Sequence, residues 1–301
     1  MSDRVGTKDS TQQVIQKYFG IVAMIDALGV SNYSIDECKI FIENLKEIDR
    51  EKNRFIESLI ASQRAFMGKS PSLSAPEYIS NVMENVKVSQ FGDTIILAWP
   101  IEKKFDLNNL LVTFFASASI VGLIHKGLQL KIPFRGCISV GEFIWDDTDA
   151  KILGPAIADV SNWYDAADWF GVIFSPKANH WLSTLLEVGS PKDDDLLVKM
   201  FRTFLCSYDV PLKNVNNTQR KETLFVAGWP LPFYYFPPEG FTTKQIFYRV
   251  LFELPMPKGT ESKFKNSENF FIWYGSEVYE KNKDQWRRGD KSEEHNQPAG
   301  K

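Results

Sequence analysis

The chain has 301 residues, 44% of them hydrophobic and 24% charged, with a formal net charge of -3. That is the composition of a globular protein with ample material for a core, and its charge balance gives no electrostatic case for binding duplex nucleic acid. Cys38, Cys137 and Cys206 share no metal-ligand spacing and follow no secretory signal, which fits reduced thiols in a cytoplasmic protein.

Residues 1–17 are polar and are expected to form a flexible N-terminus without an export signal. The stretch GIVAMIDALG then joins the apolar run Ile21 to Ile25 to an acid, Asp26, and to a small-residue turn closed by Gly29. The run reads as a central strand, apolar on both faces. Asp26 suits two roles: a cap or turn residue, or a carboxylate delivered to a strand end beside bare N–H groups. From Ser34 or Asp36, apolar residues Cys38, Phe41, Leu45, Ile48, Phe55, Leu59 and Phe66 recur at helical spacing, which predicts an amphipathic helix lying on a sheet. Residues 68–76 read as a loop.

Val86 to Trp99 predicts a β-hairpin turning at Gly92-Asp93. Leu107 to Ile124 lacks charged side chains but holds Asn108, Asn109, Thr113, Ser117 and Ser119, so a buried core helix is favoured over a membrane span. A strand carrying Arg135 follows over 132–140, then an acidic turn at 146–149. A helix from Gly154-Pro155 to about Trp169 and a strand at 171–175 come next. The order β-α-β-β-α-β plus a further αβ is that of an α+β, ferredoxin-like sheet with its helices on one face. It brings Asp26 and Asp93 together.

Beyond Ala178 the character changes. Residues 181–280 are expected to pack on the core as an extension, with a helix over 196–208, a polar loop over 214–221 and extended aromatic segments at 224–235 and 270–274. The aromatic cluster from Trp229 to Phe236 suits packing better than base stacking. The tail over 281–301 reads as disordered.

Two carboxylates on adjacent strands suit a two-metal site for magnesium or manganese, with Ile25 at the same strand end counted among the metal-holding residues. The N–H groups of Ala27, Leu28 and Gly29 are expected to cradle phosphate, and Arg135 to bridge phosphate oxygens or to sit in a salt bridge. Glu142 is expected to end in solvent. His125, His180 and His295 share no spacing with a nucleophile, which speaks against His-based hydrolysis.

The pieces MIDALG, KVSQFGDTIILAW, IPFRGCISVGE and ILGPAIADVSNWYDAADWFGVIFSP fall in the order of class III nucleotidyl cyclases, and residues 18–180 resemble that family's catalytic domain. The resemblance implies metal ligation by Asp26 and Asp93, a polyphosphate contact from Arg135, and a last core helix opened by Gly154 to Ile157. The chain looks more similar to the bacterial Pycsar pyrimidine cyclases than to purine cyclases. The resemblance implies two Mn²⁺ or Mg²⁺ ions per site and a homodimer with sites at the subunit interface. It further implies conversion of UTP, or as second choice CTP, to a cyclic nucleotide that signals to a separately encoded antiphage effector. A cyclase for ATP or GTP and a noncatalytic nucleotide sensor are the alternatives. One departure bears on the latter. The family's ribose-positioning Asn and transition-state Arg are replaced by Ala158 and Asn162, with Asp159 as a polar neighbour and Lys177 or a partner residue as a substitute cation. Tyr33 and Phe91 are candidates for narrowing the base pocket.

Overall fold

The computed structural model describes residues 15–30, 33–48, 50, 76–188, 201–215, 218–235, 242–254 and 256–283. Strand β1 (Ile15–Ala27) is thirteen residues long and buried from Gly20 onward. Only its second half is apolar enough to be legible in sequence; the polar first half pairs with β4 all the same. Helix α1 covers 35–48, and its Phe41, Leu45 and Ile48 are buried as the spacing predicts. The expected continuation through Phe55, Leu59 and Phe66, residues 68–75 of the expected loop and 284–301 of the expected tail lie outside the described residues, as do residues 1–14 and His295, whereas Pro76 and residues 281–283, expected as loop and tail, are helical.

Helix α2 (Pro76–Glu84) leads into the hairpin β2 (Lys87–Phe91) and β3 (Thr94–Pro100). Gly92 takes φ +59 at the first central turn position, the conformation a type II′ turn requires there. Helix α3 (Leu107–Gln129) starts at an Asp106 cap that accepts from the Asn109 N–H. Its buried Thr113, Ser117 and Ser119 donate to the carbonyls four residues back, Asn109, Thr113 and Phe115. Those bonds let polar side chains lie in a dry interior. This is the one helix, among the described residues, long and apolar enough to cross a membrane, and it is buried inside the fold.

Strand β4 (Phe134–Asp146) outruns the expected 132–140 and turns back through the short β5 (Lys151–Leu153). Helix α4 (Pro155–Trp163) stops earlier than Trp169. Strand β6 (Gly171–Phe174) is followed by α5 (Pro176–Val188). Pro176, read in sequence only as a strand stop, also opens this helix, because a first-turn proline loses no hydrogen bond.

The sheet runs β2-β3-β1-β4-β6-β8-β7, with β5 on β4. Its β2-β3-β1-β4 part is the antiparallel ferredoxin-like order, and the α+β class follows from it. Strand β6 adds in parallel to β4. The extension differs from expectation. Of the helix expected over 196–208, residues 201–204 are helical and 196–200 lie outside the described residues, while 205–208 belong to β7 (Leu205–Val215); the expected polar loop is largely strand, since β8 (Thr218–Ala227) pairs with both β7 and β6. Alternation in the β7–β8 pair hides behind charged exposed residues such as Arg220 and Lys221. The extension therefore continues the core sheet. Residues 231–235 form α6, and 270–273 lie in α8 (Glu261–Trp273) rather than in extended chain. Aromatic richness favoured a strand reading locally, while packing made these segments helical. Between them lies α7 (Thr243–Glu253), opened by a Thr242/Gln245 capping box. The aromatic cluster is core, with Trp229 fully buried and Phe233, Phe247, Phe270 and Phe271 rings around it.

The helices do not all share one face. Gly127 of α3 meets the Phe134 ring so closely that a Cβ would sit 2.5 Å from it, which places α3 on the face of Phe134, Gly136 and Ile138. Helix α5 joins it through Trp181 on Phe19. Helix α4 covers the opposite face, where Ser139 donates to Asp159 and Ser161 to Met24.

Candidate active site

The α4 face of the sheet ends in a pair of charged side chains, Asp26 and Arg135, with Asp93 in the adjoining hairpin turn. Asp26 pairs with Thr94 across β3 and with Arg135 across β4. The register therefore dictates their contact. Arg135 donates from Nε (3.2 Å) and Nη2 (3.0 Å) to Asp26 Oδ2, and Thr94 donates to Oδ1 at 3.1 Å. The Asp93 carbonyl accepts from the Ala27 N–H at 3.3 Å, which fixes the hairpin turn beside the end of β1. Asp26 is almost wholly buried. Burial raises its carboxyl above the usual 3.8, and the Asp93 charge adds to this; the Arg135 and Thr94 bonds oppose it without reversing it.

Asp26 and Arg135 thus meet side chain to side chain, and the backbone of Asp93 stands beside the end of β1. Ile25 is fully buried and paired on both sides, to Ile95 and Gly136, so its side chain offers a metal nothing. The expected N–H cradle is mostly occupied. Ala27 donates to Asp93, and Leu28 donates to the Pro133 carbonyl at 2.8 Å. The reason is that β1 runs on through Ala27, so the ladder and the neighbouring loop take the donors. Gly29 holds the turn at φ +92, with Pro257 of the extension 3.2 Å from where its Cβ would be.

Within one chain, Asp159 and Lys177, expected as substitutes for the absent transition-state residues, are engaged elsewhere. Asp159 accepts from Ser139 (2.5 Å) and Ser175 (2.6 Å) and so pins α4 to β4 and β6. Ala158 and Asn162 are exposed on the outer side of α4. Lys177 lies against Gly141, six residues along β4 from Arg135, roughly 20 Å at the usual strand rise. Glu142 is solvent-facing, paired with Lys17 at 3.0 Å. Phe91 is 87% exposed at the hairpin tip, and Tyr33 packs edge-on against Phe41. An open cavity of about 1180 Å³ lies between α1 and the β2–β3 turn, bordered by Val30, Phe41, Gln90 and Asp93. It exceeds the roughly 300–1,000 Å³ of typical ligand pockets, so within one chain it does not select a base by size.

The charge network extends beyond the sequence expectation. Arg135 lies 5.6 Å over the Tyr164 ring and 3.9 Å from Asp165, whose same oxygen accepts from Lys213 at 2.5 Å. Asp165 is held below the usual carboxylate range by Lys213 and Arg135, against the effect of burial. Thr94 was legible, standing opposite Asp26 once the hairpin is registered. Asp165 and Lys213 carry no local signal, because β7 brings them together over 48 residues.

In chemistry the residues fit a hard divalent cation: two carboxylates, with backbone carbonyls the remaining donors. No cluster of three or more His, Cys, Asp or Glu side chains occurs among the described residues.

No protein-family model matches the chain, and no curated protein is significantly similar to it. Among solved structures, it is similar to the catalytic core of a rhodopsin-guanylyl cyclase with converted specificity in complex with ATPαS (12% identity, TM-score 0.38, 71% of this chain, 97% of that one). It is also similar to the guanylyl cyclase Cya2 (10%, 0.34, 71% and 93%) and to an adenylate/guanylate cyclase/hydrolase from Silicibacter pomeroyi (12%, 0.32, 71% and 98%). Likenesses of this size carry no weight for function, which has to be argued from the chain's own strand order and side chains.

Proposed function

We propose that this chain is a nucleotide cyclase that converts a nucleoside triphosphate, UTP before CTP, to the 3′,5′-cyclic monophosphate and pyrophosphate. The observation that carries this is the Asp26–Arg135 pair at one end of a β2-β3-β1-β4 sheet, with the hairpin turn that bears Asp93 bonded to the same strand end. Asp26 and Asp93 would hold Mn²⁺ or Mg²⁺, which when bound supplies Lewis-acid activation of the 3′-hydroxyl and screening of the leaving pyrophosphate. Ionised Asp26 is needed for this, and Arg135 and Thr94 favour that form against burial. Arg135, released from Asp26 Oδ2, turns its fork to polyphosphate oxygens. The preference for a pyrimidine, the homodimer with sites at its interface and the role as a second-messenger source in antiphage defence rest on the sequence resemblance.

The test is incubation with each of the four ribonucleoside triphosphates and Mn²⁺, followed by separation of cyclic products. The reading expects a cyclic pyrimidine nucleotide that is lost in Asp26→Ala and Asp93→Ala. A cyclic purine instead would correct the substrate and keep the reaction. A second reading, a noncatalytic nucleotide sensor, is favoured by exposed Ala158 and Asn162 and by Arg135 sitting on Asp26. Tight nucleotide binding with no product from any triphosphate would establish it in place of the first.

A further inference from the structure

The extension does more than pad the core. It crosses the end of the sheet where Asp26 and Arg135 lie, touching the turn at Gly29 through Pro257. It also grips the segment after α4 from two sides. Strand β7 bonds it through Asp168 N–H to the Pro211 carbonyl and Lys213 N–H to the Ala166 carbonyl, both 2.8 Å. Helix α8 bonds it through Asn266 to the Asp168 carbonyl at 2.7 Å, and through the Phe170 N–H to the Ser267 hydroxyl at 2.9 Å. Between these anchors sits Asp165, shared by Arg135 and Lys213.

A second lysine belongs to this group. Lys263 is one turn before Ser267 on the same side of α8, where Ser267 donates back to its carbonyl at 2.7 Å. It is half-buried and within the field of Arg135, Lys213, Asp165 and Asp168. Burial, together with the positive charges of Arg135 and Lys213, lowers its ammonium below the usual value, and Asp168 and Asp165 only partly compensate. An anion entering here finds cations from three elements on one fixed scaffold.

We infer that Lys213 and Lys263 of the extension, with Arg135 of the core, form an anion site in the same chain that takes the polyphosphate of the substrate, with Asp165 as its internal counter-ion. Only the identity of the anion rests on the cyclase reading; the cluster itself does not. Such a site supplies positive charge that Asn162 does not, from a part of the chain outside the region that resembles a cyclase. Asp165 keeps the lysine and arginine oriented before the anion arrives, and competes with it for them.

The experiment is calorimetric titration of the full chain with inorganic tripolyphosphate in chelator, followed by steady-state kinetics with the preferred triphosphate. Lys213→Gln and Lys263→Gln should each weaken tripolyphosphate binding by about tenfold, the size of one charge-assisted contact. Lys177→Gln, at the far end of β4, should leave it unchanged. Asp165→Asn should tighten it severalfold, an effect that a purely structural role for Asp165 would not give. In turnover, the two lysine variants should raise KM more than they lower kcat, with Lys213→Arg restoring most of the loss. Wild-type affinity in both lysine variants, or no tripolyphosphate binding by the wild type, overturns the inference even if cyclic product forms. Lysine-dependent binding without cyclic product keeps the site and removes the cyclase reading.

Discussion

The two faces of the central sheet are built from the same strands and do opposite things. On the α3 side, Ile21, Ala23 and Ile25 of β1 and Phe134, Gly136 and Ile138 of β4 meet helices with nothing charged between them. On the α4 side, the alternate residues of the same strands include Asp26, Arg135 and Ser139. The period of two along each strand divides the labour: one residue anchors the fold and the next is offered to chemistry. Stability and activity should therefore be separable by moving a single position along β1 or β4.

The largest test is at Asp26. Asp26→Asn should reduce cyclic product by at least about 10³-fold, at the upper end of the loss from removing one electrostatic stabiliser. It should do so without lowering the melting temperature at pH 7. The sign follows from the raised carboxyl: the folded chain holds the proton more tightly than the unfolded one, so ionised Asp26 costs stability that asparagine restores. The difference should vanish below the usual 3.8, where both states are protonated. A variant that is both inactive and markedly less stable would break the division between faces.

Phe134, the neighbour of Arg135 on the other face, gives the converse. Phe134→Ala should cost about 3–5 kcal/mol in chemical denaturation, while the folded fraction retains its tripolyphosphate affinity. His125, on α3, sharpens the comparison by pH. It packs edge-on against Phe233 at 4.9 Å, and burial lowers its pKa from 6.5 to about 4. The unfolded chain takes up its proton first, so stability present above 6.5 is lost as pH falls toward 4, on the order of 3 kcal/mol in all. His125→Phe should flatten that slope in melting curves recorded across the range. The smallest effect is at Thr94. Thr94→Val removes one bond to Asp26, about 1 kcal/mol, and should move the acid limb of the pH–rate profile upward.

Much of the α3 face and the hairpin could be read from the sequence, because buried strands and a dry helix announce themselves by composition. Asp26 and Asp93 were legible through the order of elements and Arg135 through its strand. What the sequence concealed was of two kinds. Strand β1 carries its donors past Asp26, so the N–H groups of Ala27 and Leu28 bond to the hairpin and to Pro133 rather than standing free. The extension was hidden because Lys213, Lys263 and Asp165 acquire meaning only once β7 and α8 close on the segment after α4.

The strand order has a consequence for timing. Asp26 and Arg135 are separated by 109 residues, and the last strands enter as β6-β8-β7, so β7 cannot join the sheet until β8, made after it, bridges the gap. Contacts of that sequence separation form slowly, and domains emerging from the ribosome fold from the N-terminus first. A nascent chain can pair β1 with β4 while β8 is still unmade, yet Lys213 reaches Arg135 only once β8, ending at Ala227, has been synthesised, and Lys263 only once α8, ending at Trp273, has followed. A chain cut short of these elements would hold the carboxylates without the lysines, and so would grip an anion more weakly than the full chain does.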